Sequence, residues 1–121
     1  MIKDIAVIAL WAEDVATTAH FYRDVLGLKL LPHHHAGRPH FKVGDAYLTI
    51  LKGSPQPPEN IESTRFPVFA FRVQDLDQAI ANLEHHGVEF PWDVEGQGNS
   101  RWVMFQDPAG NLIELTSSIA L

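Results

Sequence analysis

Apolar and polar positions run along this chain in two rounds of the same order. Residues 5–11 (IAVIALW) are apolar and β-prone and predict a strand. Asp14 then stands where a helix N-cap is wanted, and Val15, Ala19, Tyr22 and Leu26 follow at helical spacing. Gly27 supplies the left-handed residue that ends such a helix. Residues 28–35, 39–43 and 47–51 read as three strands, parted by Ala36-Gly37 and Gly44-Asp45 turns. The stretch 53–65 (GSPQPPENIESTR) is polar, holds three prolines and has no period, as expected of a linker or surface loop. The pattern then restarts: a strand over 67–73, Asp75 as cap, and a stripe of Leu76, Ala79, Ile80 and Leu83. Gly87 is the stop, and strands are predicted over 88–94, 101–106 and 112–116.

The caps Asp14 and Asp75 are 61 positions apart and the stops Gly27 and Gly87 are 60 apart. Such agreement ties strand, cap, helix length and stop together, which is the mark of an internal repeat. The prediction is an α+β chain of two βαβββ modules, about 1–53 and about 66–121, joined by a linker over 54–65.

Side chains alternate across a strand, so each strand carries two sets. One set is apolar in every strand, as burial under a helix requires. The other set is mixed: Thr49, Arg72, Glu114 and Thr116 stand among apolar neighbours such as Val7, Tyr47 and Val68. Mostly apolar walls with a few placed polar groups suit a ligand cavity; a half-solvated sheet face has the same pattern.

Composition narrows the function classes. Hydrophobic residues make up 45% and charged ones 20%, which argues for an ordered core rather than disorder. The absence of cysteine removes disulfides, thiolate nucleophiles and thiolate metal sites. The net charge of −6 repels phosphate backbones, so nucleic acid is not an expected partner. No apolar run reaches the length of a signal peptide or a membrane span, so a cytoplasmic location and no membrane partner are expected.

Three stretches resemble a known pattern. Asp14 is followed by His20-Phe21-Tyr22-Arg23-Asp24-Val25-Leu26-Gly27-Leu28; Val73-Gln74-Asp75-Leu76-Asp77 forms a strand-to-helix junction; and Phe105-Gln106-Asp107-Pro108-Ala109-Gly110-Asn111-Leu112-Ile113-Glu114-Leu115 closes the chain. In this order they resemble the vicinal oxygen chelate superfamily of glyoxalase, bleomycin-resistance and dioxygenase proteins. The resemblance implies mixed, curved sheets forming a cleft. In the metalloenzyme branches it also implies a divalent ion held by one residue on the first and one on the fourth strand of each module. The matching positions here are Val7, Thr49, Val68 and Glu114. Only Glu114 keeps a carboxylate, and divalent ions need three or four good donors in one place. The expectation is therefore no metal and no other cofactor.

Other residues carry candidate chemistry. His33, His34, His35 and His40 surround a predicted hairpin tip, where solvated polar side chains are ordinary. His33, His35 or His40 with Glu114 would be the ligand set of a metal-dependent lyase or dioxygenase, and Glu114 alone would be the base of a metal-free isomerase. His85 and His86 sit at a helix C-terminus, where partial positive charge is favoured, and His20 is expected on the surface. Trp11 and Trp102, with Tyr47 and Arg72, fit stacking on a planar or cationic ligand, and His40 is a further ligand-binding candidate; tryptophans at a subunit interface fit the same positions. The bleomycin-resistance branch joins both, with clefts at a dimer interface and no catalytic metal. The first expectation is a homodimer that binds and sequesters a partly aromatic or amphipathic small molecule, with Glu114 the candidate catalytic residue should there be catalysis.

Overall fold

The computed structural model describes residues 1–32, 38–56 and 65–117, and the chain divides into two compact units, Met1–Pro55 and Gln56–Leu121. In the first, β1 (Val7–Ala12) leads into α1 (Val15–His20), which widens into a π-helical turn over Phe21–Val25. Strands β2 (Lys29–Leu30), β3 (His40–Val43) and β4 (Ala46–Lys52) follow. The sheet order is β1-β4-β3-β2, with β1 parallel to β4 and the other pairs antiparallel.

Local chemistry explains the boundaries. The Asp14 carboxylate accepts the Thr17 backbone N–H at 3.0 Å and the Thr17 hydroxyl at 2.8 Å, which caps the first turn and holds that carboxyl below the usual aspartate range. At the other end Gly27, at φ 76°, turns the chain so that the Leu28 N–H reaches the Tyr22 carbonyl at 2.9 Å. The helix lays Thr18 and Tyr22 over Leu10, Ala12, Phe41, Leu48 and Ile50, all of them buried. Tyr22 packs near Phe41, with ring centroids 6.2 Å apart.

The second unit repeats the plan: β5 (Ala70–Arg72), α2 (Leu76–His85), β6 (Glu95–Gln97), β7 (Ser100–Gln106) and β8 (Leu112–Thr116), in the order β5-β8-β7-β6. Asp75 caps α2 by accepting the Gln78 N–H at 3.1 Å. Leu76 and Leu83 of the helix are buried, as are Val103, Phe105, Ile113 and Leu115 of the sheet. Arg101, on the helix side of β7, pairs with Asp77 of α2 at 3.0 Å.

The repeat extends to strand register. Thr49 lies between Ala9 and His40, and Glu114 lies between Ala70 and Met104 in the same manner. Three predicted strands differ from the structure. No strand forms over 88–94, where Pro91 lacks a ladder donor; pairing begins later, at β6, which folds back on β7 through a tight turn at Gly98-Asn99 with Gly98 at φ 60°. The strand expected over 67–73 narrows to Ala70–Arg72, although the Val68 and Val73 N–H groups still reach Leu112 and Thr116 carbonyls at 2.8 Å. The strand expected over 28–35 is described only as Lys29–Leu30; His33, His34, His35 and the Ala36-Gly37 turn lie outside the described residues, as do residues 57–64 of the predicted linker.

The β7–β8 connection is held from inside. Asp107 is buried, and its carboxylate accepts the Ala109 and Asn111 backbone N–H groups at 3.0 and 2.9 Å and the Asn111 side-chain amide at 3.0 Å. Replacing it strands buried donors, whereas removing the exposed Asp14 cap leaves donors that water can reach. Asp107→Ala is therefore expected to cost about 2–3 kcal/mol and Asp14→Ala clearly less, read from urea unfolding midpoints. Equal losses would contradict this assignment.

Candidate functional site

The mixed side-chain sets gather on one face of each sheet. In the first unit Val7, Ala9 and Trp11 of β1 pair with Tyr47, Thr49 and Leu51 of β4, and His40 and Lys42 of β3 pair with Thr49 and Tyr47. The candidates Val7, Trp11, His40, Tyr47 and Thr49 thus share a face. Val7 is 50% exposed, Trp11 49% and Tyr47 39%, while Thr49 is only 6% exposed. The Thr49 hydroxyl donates to the Pro39 carbonyl at 3.0 Å, which accounts for a polar group at that depth. His40 Nδ1 lies 3.0 Å from the Arg38 carbonyl. The Lys42 ammonium stands over the Tyr47 ring, 4.7 Å from its centroid.

Trp11 depends on a residue that is not a site candidate. A Cβ placed on Gly53 would lie 2.5 Å from Trp11 Cε3, so the benzo side of the indole rests where a side chain at position 53 would stand.

In the second unit the corresponding face carries Ala70 and Arg72 of β5, Glu114 and Thr116 of β8, Trp102 and Met104 of β7, and Glu95 of β6. Val68 lies just before β5, exposed, with its backbone on Leu112. Trp102 and Glu114 are half-buried and Arg72 is exposed. Trp102 Nε1 donates to Glu95 Oε2 at 2.9 Å across the β6–β7 ladder. Among the described residues no ion pair joins Arg72 to either glutamate. Burial pushes the Glu114 carboxyl above its ordinary value of 4.5, and the Glu95 charge adds to the push.

Trp92 lies off this face, with the Arg65 guanidinium 4.8 Å from its ring centroid. His20 is exposed and pairs with Asp24 at 2.6 Å; His86 Nδ1 lies 2.8 Å from the Asn82 carbonyl at the end of α2. An open groove of about 890 Å³ runs around the start of α2, lined in part by Gln74, Asp75, Gln78, Asn82 and Arg101. It lies on the helix side of the second sheet and includes none of the site candidates. No helix among the described residues is long and apolar enough to cross a membrane.

The residues at the four metal positions of the resemblance do not fit a divalent ion. Val7 and Val68 offer no donor, the Thr49 hydroxyl is committed to Pro39, and Glu114 is a single carboxyl. Among the described residues no group of three or more His, Asp or Glu is placed to hold a metal. His33 and His35 of the alternative ligand set lie outside the described residues.

With the two repeated units and their mixed faces in place, the class is defined: this chain belongs to the Glyoxalase/Bleomycin resistance protein/Dioxygenase superfamily, matched over residues 4–115. Its relatives include the uncharacterized protein YaeR of Escherichia coli K12, 32% identical over 94% of this chain and 95% of its own length. A lactoylglutathione lyase from Agrobacterium tumefaciens superposes with a TM-score of 0.72 at 25% identity, covering 95% of this chain and 93% of its own. TnmS3, an antibiotic binding protein from Streptomyces sp. CB03234, superposes with a TM-score of 0.74 at 26% identity over 94% of each chain.

The raised pKa of Glu114 has a consequence for stability. The folded chain keeps a proton that the unfolded chain releases near pH 4.5. The folded state therefore loses stability as pH rises from there through the folded pKa, and the loss levels off above it. Glu114→Gln is expected to be neutral or stabilising at about pH 7, by less than about 1 kcal/mol because the carboxyl is part-solvated, and to flatten the pH dependence. Urea unfolding at about pH 4 and about pH 7 measures both; a clear loss at neutral pH would mean an ionised, paired carboxylate.

Proposed function

We propose that this chain is a small-molecule-binding protein that works as a metal-free homodimer, using the mixed sheet faces to hold a partly aromatic or amphipathic ligand, in the manner of a sequestering resistance protein. The observation that carries this reading is the composition of those faces. They lack a metal donor set but keep half-exposed aromatic rings beside placed polar groups: Trp11 and Tyr47 with Thr49 and His40, and Trp102 with Glu95 and Glu114. The likeness to TnmS3, an antibiotic binding protein, supports the reading. The homodimer is supported by exposed apolar side chains at the outer strand β1 and just before β5, among them Ile5, Val7, Phe66 and Val68, a pattern that association covers.

A second reading has its own observation. A part-buried carboxyl with a raised pKa is the kind of group that serves as a general acid or base, and Glu114 is one. On that reading the chain is a metal-free isomerase with Glu114 as base. A metal-dependent lyase or dioxygenase using His33, His35 or His40 with Glu114 is the remaining alternative. Metal analysis after metal-replete purification separates it: a stoichiometric ion lost in Glu114→Gln would overturn the metal-free reading.

Stacking a ring on a half-exposed indole removes apolar surface worth about 25 cal/mol per Å², so about 100 Å² contributes roughly 2.5 kcal/mol, and the polar groups beside the ring supply the remainder of a useful affinity. In a screen of aromatic metabolites and antibiotics, binders should shift the intrinsic fluorescence, and Trp11→Ala or Trp102→Ala should weaken them about tenfold or more with an unchanged far-UV spectrum. No binder, together with lowered melting temperatures in both variants, would defeat the reading. Sedimentation at micromolar concentration should show a dimer; a lone 13.6 kDa species would refute it.

A further inference from the structure

Strand β6 is short, fully exposed and at the edge of its sheet, yet it places one carboxylate on the mixed face. The tight turn at Gly98-Asn99 fixes the register so that Glu95 stands directly opposite Trp102. The indole has a single N–H, and it is spent on Glu95 Oε2 at 2.9 Å. A hydrogen bond to a charged acceptor is among the stronger kinds, and this one tethers the far edge of a long side chain. The ring is thereby held against swinging about its side-chain torsions, with its plane fixed on the mixed face.

The indole takes one acceptor site of a carboxylate that offers about four. The Glu95 charge also reaches across the face, since it acts on Glu114 two strands away. The other groups on this face add little compensation: Met104 and Thr116 are uncharged, and Arg72, on the outer strand β5, makes no ion pair with either glutamate. Arg101 points the other way, to Asp77 of α2. The result is a held π-face edged by a carboxylate with acceptor capacity to spare.

We propose that Trp102 and Glu95 act as one recognition unit for a planar ring that carries an ammonium or N–H donor, the ring stacking on the indole while the donor meets Glu95. This rests on the small-molecule-binding reading and names the ligand chemistry for that face. Glu95 then has two separable roles: its oxygen positions the indole, and its charge selects the donor.

Three matched rings test this: naphthylmethylamine, methoxynaphthalene and naphthoate, titrated into the full chain at low salt. The amine should bind at least about tenfold tighter than methoxynaphthalene, with naphthoate weakest. Glu95→Gln keeps an oxygen for the indole but removes the charge, so the amine preference should fall to about twofold. Glu84→Gln, which removes one charge from the exposed surface of α2, should leave the preference intact. In the ligand-free protein, the Trp102 indole N–H resonance, identified by its loss in Trp102→Phe, should move in Glu95→Ala and return most of the way in Glu95→Gln. Rings that bind without an amine preference, a preference that survives Glu95→Gln, or a resonance indifferent to Glu95→Ala would each overturn this inference while leaving the binding function standing. Failure of all three rings to bind would overturn this inference as well, and the binding function would then stand or fall on the wider screen and the melting temperatures of the tryptophan variants.

Discussion

Parallel pairing between β1 and β4, and again between β5 and β8, forces the chain of each unit to leave one strand, cross over through a helix and return after a meander. The crossover buries one side of the sheet under the helix and leaves the other side to function. Register in a sheet has a period of two, so a slip of one residue would send every side chain to the wrong face. With Ala9 opposite Thr49 and Ala70 opposite Glu114, Leu48, Ile50, Ile113 and Leu115 go to the core, and Thr49 and Glu114 to the mixed face. The tight connection around Asp107 fixes how β7 turns into β8, and the helix caps fix where each helix leaves its strand.

The two units share a frame but not a chemistry. Positions related by the repeat hold Trp11 and Arg72, Thr49 and Glu114, and His40 and Met104. The first face is aromatic with neutral or cationic polar groups; the second concentrates carboxylates around an indole. A duplicated framework keeps what the backbone requires, namely caps, stopping glycines and core apolar residues. Positions pointing away from the helix are under no such demand and diverge.

Most of this frame was legible in the sequence because its signals are local. Asp14 and Asp75 read as caps, and Gly27 and Gly87 as left-handed stops, each because a helix end needs that chemistry within a few residues. The core alternation of β4, β7 and β8 was likewise visible. The strand expected over 88–94 does not form because pairing there is set by the turn that follows, not by the apolar residues before it. Gly98-Asn99 is the two-residue hairpin signal, and counting outward from it pairs Trp102 with Glu95. Glu95 was not among the sequence candidates for this reason, and Gly53 was not for another. The Glu95 contact was recoverable from turn chemistry. The Gly53 contact was not, since nothing in a sequence reports what volume a distant indole fills. Val7, Tyr47, Thr49 and His40 fall together because strand parity alone places them.

The fit of Trp11 against Gly53 makes two positions, one on β1 and one just after β4, draw on one volume. A methyl group at residue 53 would stand 2.5 Å from the indole, closer than atoms tolerate. Among descendants of this chain, then, a side chain at 53 goes with an indole turned aside or a smaller residue at 11, and an indole in its present place goes with glycine at 53. Two sites more than forty residues apart are thus coupled in one direction: position 11 is free to shrink alone, whereas position 53 gains a side chain only where the indole has moved or gone. A lone glycine at 53 then keeps the outline of the ring even where the ring itself has been lost.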